Sequence, residues 1–161
     1  MKLTKLFSMQ RELDAYIQQN RLEQTDVFLE KALALLIELA ELANETRCFK
    51  FWSQKGPSAD EVILEEYVDS IHFLLSLGIE KGFDDLEEWP QGEVGGELTQ
   101  LFLETNGSIH RFLLDTTRES YAAIWINYGA VARSLGFTND EIILAYLKKN
   151  EENYTRQNSG Y

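Results

Sequence analysis

The sequence predicts an all-α protein, a multi-helix bundle of about five to six helices forming one domain over residues 1–161. Three observations predict this. Apolar residues recur at helical spacing along most of the chain. Two capping boxes, Ser58-Ala59-Asp60-Glu61 and Thr138-Asn139-Asp140-Glu141, stand just before apolar runs. No stretch keeps the two-residue alternation of a half-buried strand. The length of 161 residues suits a single self-sufficient core, and 44% hydrophobic with 26% charged residues is ordinary globular composition.

The elements follow in order. Leu3, Leu6, Leu13, Tyr16 and Ile17 share a stripe, which predicts a helix over Leu3–Gln19. A second helix is expected over Asp26–Lys50. Gly56-Pro57-Ser58 interrupts the chain, and the first capping box starts a third helix reaching about Leu77, with Gly78 and Gly82 at its fraying end. Pro90, Gly92, Gly95 and Gly96 make Asp84–Gly96 the best loop. Two helices are expected over Glu97–Leu114 and Glu119–Leu135, the latter stopped by Gly136. The second capping box opens a last helix that runs to about Gln157.

Charge narrows the partners. A formal net charge of −12 repels nucleic-acid backbones, so binding by counterion release is excluded as a leading function. A phosphorylated small molecule remains compatible, provided that cations are supplied locally. The single cysteine, Cys48, cannot form an internal disulfide and fits a reducing compartment. Met1–Gln10 lacks the apolar region of a signal peptide, and Leu33–Ala43 falls short of the ~20 residues that span a bilayer. A cytoplasmic protein is expected.

The strongest local signal is a set of misplaced acids. In Leu33–Ala43 apolar residues surround the helix, which predicts burial, yet Glu38 and Glu41 sit within it, three residues apart on one face. The third helix repeats the pattern with Glu66 and Asp69 among Val62, Ile63, Leu64, Ile71 and Phe73. Unpaired buried carboxylates cost several kcal/mol each and repel one another. No Lys or Arg lies within either apolar stretch. Hard divalent cations, Mg²⁺ above all, are the expected compensation, because Mg²⁺ takes oxygen ligands and keeps waters that phosphate oxygens can replace.

Glu38-Leu39-Ala40-Glu41 and Glu66-Tyr67-Val68-Asp69 together resemble the ExxE…ExxD metal motif of the all-alpha NTP pyrophosphatase superfamily, which includes the MazG-like enzymes. The strings Asn44-Glu45-Thr46-Arg47-Cys48-Phe49-Lys50-Phe51-Trp52-Ser53 and Glu65 to Gly78 are similar to the dimeric-type dUTPase branch. The resemblance extends from about Leu6 to Tyr161. It implies Mg²⁺-dependent hydrolysis of dUTP to dUMP and pyrophosphate, with Glu38, Glu41, Glu66 and Asp69 as metal ligands. One of the ExxE glutamates, Glu38 in preference to Glu41, would deprotonate the attacking water. It also implies a homodimer.

Further roles come from the same resemblance. Lys149, Asn153 and Arg156 fall on one face of the last helix and match substrate contacts, with the cations meeting phosphates; Tyr161 closes that string. Gln10 and Asp14 match residues used for base and sugar, although Asp14 stands where an Asn can occur. From their position after the ExxE helix, rather than from the resemblance, Lys50 and Trp52 are candidates for a phosphate contact and a wall for the base, or else a rim charge and a core anchor. His72, three residues after Asp69, is either a second partner of a metal carboxylate or a hydrogen-bonded core histidine, the latter being the commoner case. His110 has no companion and receives no role. Two rival functions stand beside this reading: a related pyrophosphatase for dCTP or a non-standard nucleotide, and a non-enzymatic acidic helical interaction module.

Overall fold

The computed structural model describes residues 1–20 and 26–160. Six helices follow one another: α1 Thr4–Gln19, α2 Phe28–Thr46, α3 Asp60–Lys81, α4 Leu98–Leu114, α5 Arg118–Leu135 and α6 Asn139–Asn158. No strand forms among the described residues. A lone antiparallel bridge joins Lys2 to Glu88, next to backbone bonds from Leu3 N to Glu87 O (2.8 Å) and from Trp89 N to Met1 O (2.8 Å). They tie the expected loop after α3 to the start of the chain.

α3 is the organising element. It packs against α1, α2 and α6, while α4 and α5 form a pair of which α4 also contacts α2. Eleven of its side chains or glycines are buried, from Ile63 to Gly78, so it is apolar on nearly every face. Gly78 therefore lies inside the helix, which continues to Lys81 rather than fraying near Leu77. The absence of a side chain there matters: a Cβ at Gly78 would stand 2.2 Å from the Tyr121 hydroxyl. That hydroxyl donates to Leu74 O (2.8 Å) and pins α5 to α3. Tyr67 returns the favour across the same seam, donating to Tyr128 O at 2.9 Å.

Helix ends explain the other departures. α2 stops at Thr46, four residues before the expected Lys50, because Arg47 takes a left-handed conformation (φ 58°). The Arg47 guanidinium holds that turn by donating to Ser53 Oγ (2.6 Å) and Lys55 O (3.1 Å). The Ser58 capping box does not form. Ser58 Oγ donates instead to Glu45, and α3 begins after an uncapped Ala59 with Asp60 and Glu61 in its first turn, where carboxylates suit the helix dipole. The Thr138 box forms as expected, and Thr117 makes another with Ser120 that the sequence pattern did not announce. Gly82 and Gly136 end α3 and α5 in the left-handed region.

α2 also departs from the expectation of full burial. Leu29, Leu33 and Ile37, spaced four apart, are 71%, 60% and 50% exposed and form an apolar stripe on its outer face. No helix of the described residues is long and apolar enough to cross a membrane.

Candidate active site

Three carboxylates converge where α2 crosses α3. One ligand oxygen from each of Glu38, Glu66 and Asp69 lies within 4.8 Å of the others. The i, i+3 spacing puts Glu66 and Asp69 on the face of α3 that meets α2, and the packing of the two helices supplies Glu38. Glu41 does not join this group. It is exposed, but near enough for its charge to act on Glu38 and Glu66.

The electrostatics are those of uncompensated negative charge. Burial, followed by Asp69, Glu41 and Glu66, pushes the Glu38 pKa up to about 7. Burial and then Asp69 raise Glu66 as well. Asp69 is raised by burial although Lys149 opposes it. Partial compensation comes from a residue outside both apolar stretches: Lys149 Nζ on α6 sits 2.7 Å from Asp69 Oδ2 and 2.8 Å from Glu65 Oε1. The two acids respond differently. Glu65, half exposed, is lowered by the bond to Lys149, whereas the deeper Asp69 remains raised because desolvation exceeds its attraction to the lysine. One ammonium among these acids leaves charge that an additional cation can neutralise. The donors are all hard oxygens, the set that Mg²⁺ and similar ions take.

Beside the acids opens a cavity of about 590 Å³, within the range of small-ligand sites. α1 contributes Gln10, Leu13, Asp14 and Ile17; α2 contributes Lys31, Ala34 and Glu38. Asp69, His72, Phe73 and Ser76 come from α3, and Lys149, Asn153 and Arg156 from α6. Gln10, Asp14, Glu38, Asp69, Lys149, Asn153 and Arg156, all expected from the sequence, thus share one cavity, whereas Glu41 and Glu66 do not line it. α6 contributes two cations to the lining, Lys149 and Arg156, and Leu13, Ile17, Ala34 and Phe73 supply its apolar part.

Lys50 and Trp52 do not line it. Lys50 donates to Asn44 Oδ1 and lies 5.6 Å from the Phe49 ring centre, while Trp52 is 66% exposed beside Phe51. Tyr161 lies outside the described residues. His72 is the hydrogen-bonded core histidine: its ring stacks on Tyr146 at 4.1 Å and its Nδ1 lies 2.8 Å from Gln10 Oε1. His110 is exposed. Three participants were not singled out from the sequence. Lys31 bonds Asp14 and Glu80, Ser76 bonds Asp14, and Tyr146 bonds Gln10. Lys31 carries a visible signal, lying seven residues before Glu38 and therefore on the same helix face.

An all-helical domain whose acids meet beside a cation-lined cavity is the kind of protein that handles a polyphosphate with divalent metal. The family model described as dUTPase matches residues 2–161, and the chain belongs to that family. Membership makes it an enzyme, a dUTP diphosphatase acting on a nucleotide. No curated protein matches the chain.

Proposed function

We propose that dUTP is hydrolysed to dUMP and pyrophosphate in this cavity, with Mg²⁺ held by Glu38, Glu66 and Asp69 and with Glu41 at the rim completing the set. The convergence of three carboxylate oxygens beside Lys149 and Arg156 carries the reading. When bound, the metal supplies Lewis-acid stabilisation of phosphate charge and eases deprotonation of water. The protein does the rest. Glu38, placed among the other acids, is the preferred acceptor of a proton from the attacking water, and Glu41 is the alternative base. Lys149 and Arg156 stabilise the phosphate oxygens, and Asn153 orients the chain of the substrate between them.

The base and sugar lie toward α1, against Gln10 and the apolar wall. Passive exclusion of a methyl group is worth only about 1–3 kcal/mol, so shape alone gives modest preference for uracil over thymine. The exposed stripe Leu29–Leu33–Ile37 supports assembly as a homodimer through α2, next to the acids that α2 carries. Lys50, Trp52 and Tyr161 would then act from segments that the partner or the bound substrate brings to a cavity. The cysteine usage and the absence of a membrane-crossing helix among the described residues support a cytoplasmic enzyme.

Pyrophosphate release from a panel of nucleotides tests the substrate. dUTP should lead with Mg²⁺ present and none should react in a chelator. Preference for dCTP or a modified nucleotide would replace the substrate and leave the metal site standing. No turnover and no binding of either Mg²⁺ or a nonhydrolysable dUTP analogue would favour an interaction module.

A further inference from the structure

Both oxygens of Asp14 are engaged inside the protein. Oδ1 accepts from Gln10 Nε2 at 2.7 Å, and Oδ2 accepts from Ser76 Oγ and from Lys31 Nζ at 3.3 Å. Lys31 is itself held by Glu80. A carboxylate committed in this way has little left for a ligand, but it dictates what its neighbour can do.

An ionised carboxylate only accepts hydrogen bonds. Gln10 must therefore turn its NH₂ toward Asp14, which sends its carbonyl oxygen the other way. There the Tyr146 hydroxyl donates to Oε1 at 2.9 Å and His72 Nδ1 approaches it at 2.8 Å. Facing an oxygen that only accepts, His72 Nδ1 carries the ring proton. Burial, with help from Lys149, lowers the His72 pKa to about 3, so the neutral ring has a single N–H and spends it on Gln10.

Every other member of this relay is ambivalent. A tyrosine hydroxyl can donate or accept, a neutral imidazole has two tautomers, and an amide can flip. Of the groups bonded to the Gln10 amide, only Asp14 has a fixed polarity, and Lys31, which can only donate, holds Asp14 as an acceptor. With both lone pairs of Oε1 claimed and one N–H given to Asp14, the Gln10 amide keeps one hydrogen-bonding function, and that function is a donor.

Resting on the assignment of the cavity as a nucleotide site, we propose that Asp14 is a positioning residue for base selection. It locks the Gln10 amide so that only an N–H is offered to the base, which admits a uracil-type carbonyl and opposes the exocyclic amine of cytosine. Asp14 thus selects the base without reading it. A donor set against a donor is the repulsive element that passive pocket shape lacks.

The test compares wild type with Asp14→Leu, which is similar in length and gives the Gln10 amide no partner to fix its orientation. Nitrogen NMR of wild-type His72 should show the neutral ring protonated at Nδ1. The ratio of kcat/KM for dUTP over dCTP should fall at least about tenfold in Asp14→Leu, with Mg²⁺ affinity unchanged, because a site built around a hydrogen bond discriminates through it. Should that variant fail to fold, Tyr146→Phe frees one lone pair of Gln10 and should relax the same ratio. A proton on Nε2 of wild-type His72, or a ratio unmoved by the substitution, overturns the proposal. If wild type hydrolyses neither nucleotide, the function reading falls. Equilibrium binding of deoxyuridine against deoxycytidine then makes the same comparison, and equal preferences in both proteins overturn the positioning role.

Discussion

Lys149 Nζ lies 2.7 Å from Asp69 Oδ2, so a cation from α6 stands inside the acid cluster that α2 and α3 build. The same nitrogen reaches Glu65, and its own pKa is raised: burial lowers it, but the bonds to Asp69 and Glu65 prevail. Without metal, Lys149 is the internal counterion of the site. Beside a polyphosphate the same ammonium has a second set of oxygens to meet.

Lys149→Met should therefore weaken the metal-free fold. The loss should be about 1–3 kcal/mol, less than the roughly 3–5 kcal/mol of a fully buried pair, because Glu65 is half exposed and can hydrate. Thermal melts in a chelator and in Mg²⁺ check this: the deficit should shrink when Mg²⁺ replaces the missing charge. Turnover should fall about 100- to 1,000-fold, as when a donor to developing anionic charge is removed.

Glu38 gives the pH dependence its sign. Its folded pKa of about 7 lies above the ordinary value of 4.5, so between these limits the folded protein retains a proton that the unfolded chain releases. Stability from this group is present below pH 4.5 and is lost as pH rises through 7. Glu45, Glu65 and Glu141, whose pKa values are lowered, act in the opposite direction, so the difference from Glu38→Gln isolates the effect. In a chelator, the variant should gain on wild type by on the order of 1–2 kcal/mol between pH 5 and pH 7.5, allowing for partial solvent screening. Urea melts at the two pH values measure it, and a constant difference would contradict the stated burial of charge.

Gly78→Ala tests the α3–α5 seam. Alanine normally favours a helix by ~1 kcal/mol over glycine, but here its methyl group would meet the Tyr121 hydroxyl at 2.2 Å. Overpacking should win, with a net loss of about 1–3 kcal/mol in urea unfolding. Adding Tyr121→Phe should recover part of it, since the oxygen is the nearest atom.

Leu33→Asp tests the outer stripe of α2. The side chain is 60% exposed, so the monomer should keep its fold. If α2 carries the proposed dimer interface, light scattering should show a dimer for the wild type and a monomer for the variant. A mass unchanged by the substitution would move the interface elsewhere.

The pairing of Glu66 with Asp69, and the place of Glu38 beside them, were legible because residues three apart on a helix are neighbours and acids inside apolar runs contradict their surroundings; Glu41 was expected in the same group and instead is exposed. The face of α6 that bears Lys149, Asn153 and Arg156 was legible for the same reason. What the pattern could not show was contact between distant segments. Lys149 meets Asp69 across 80 residues of chain, and Gln10 meets Tyr146 across 136. Ser58 was misread because a capping serine and a serine bonded to Glu45 look alike in sequence. The stop of α2 at Arg47 depends on Ser53 and Lys55 folding back, a tertiary arrangement that overrides helix propensity.

Calorimetric titration of Mg²⁺ into wild type and Asp69→Asn, paired with dUTP turnover of the same samples, addresses the acid cluster most directly. The substitution keeps the shape of the side chain and removes its charge. A folded variant is expected, with Mg²⁺ binding severely weakened and turnover reduced at least ~100-fold, the scale that follows when metal-borne stabilisation of several kcal/mol is lost. A variant that binds Mg²⁺ as wild type does and hydrolyses dUTP at the full rate would contradict it.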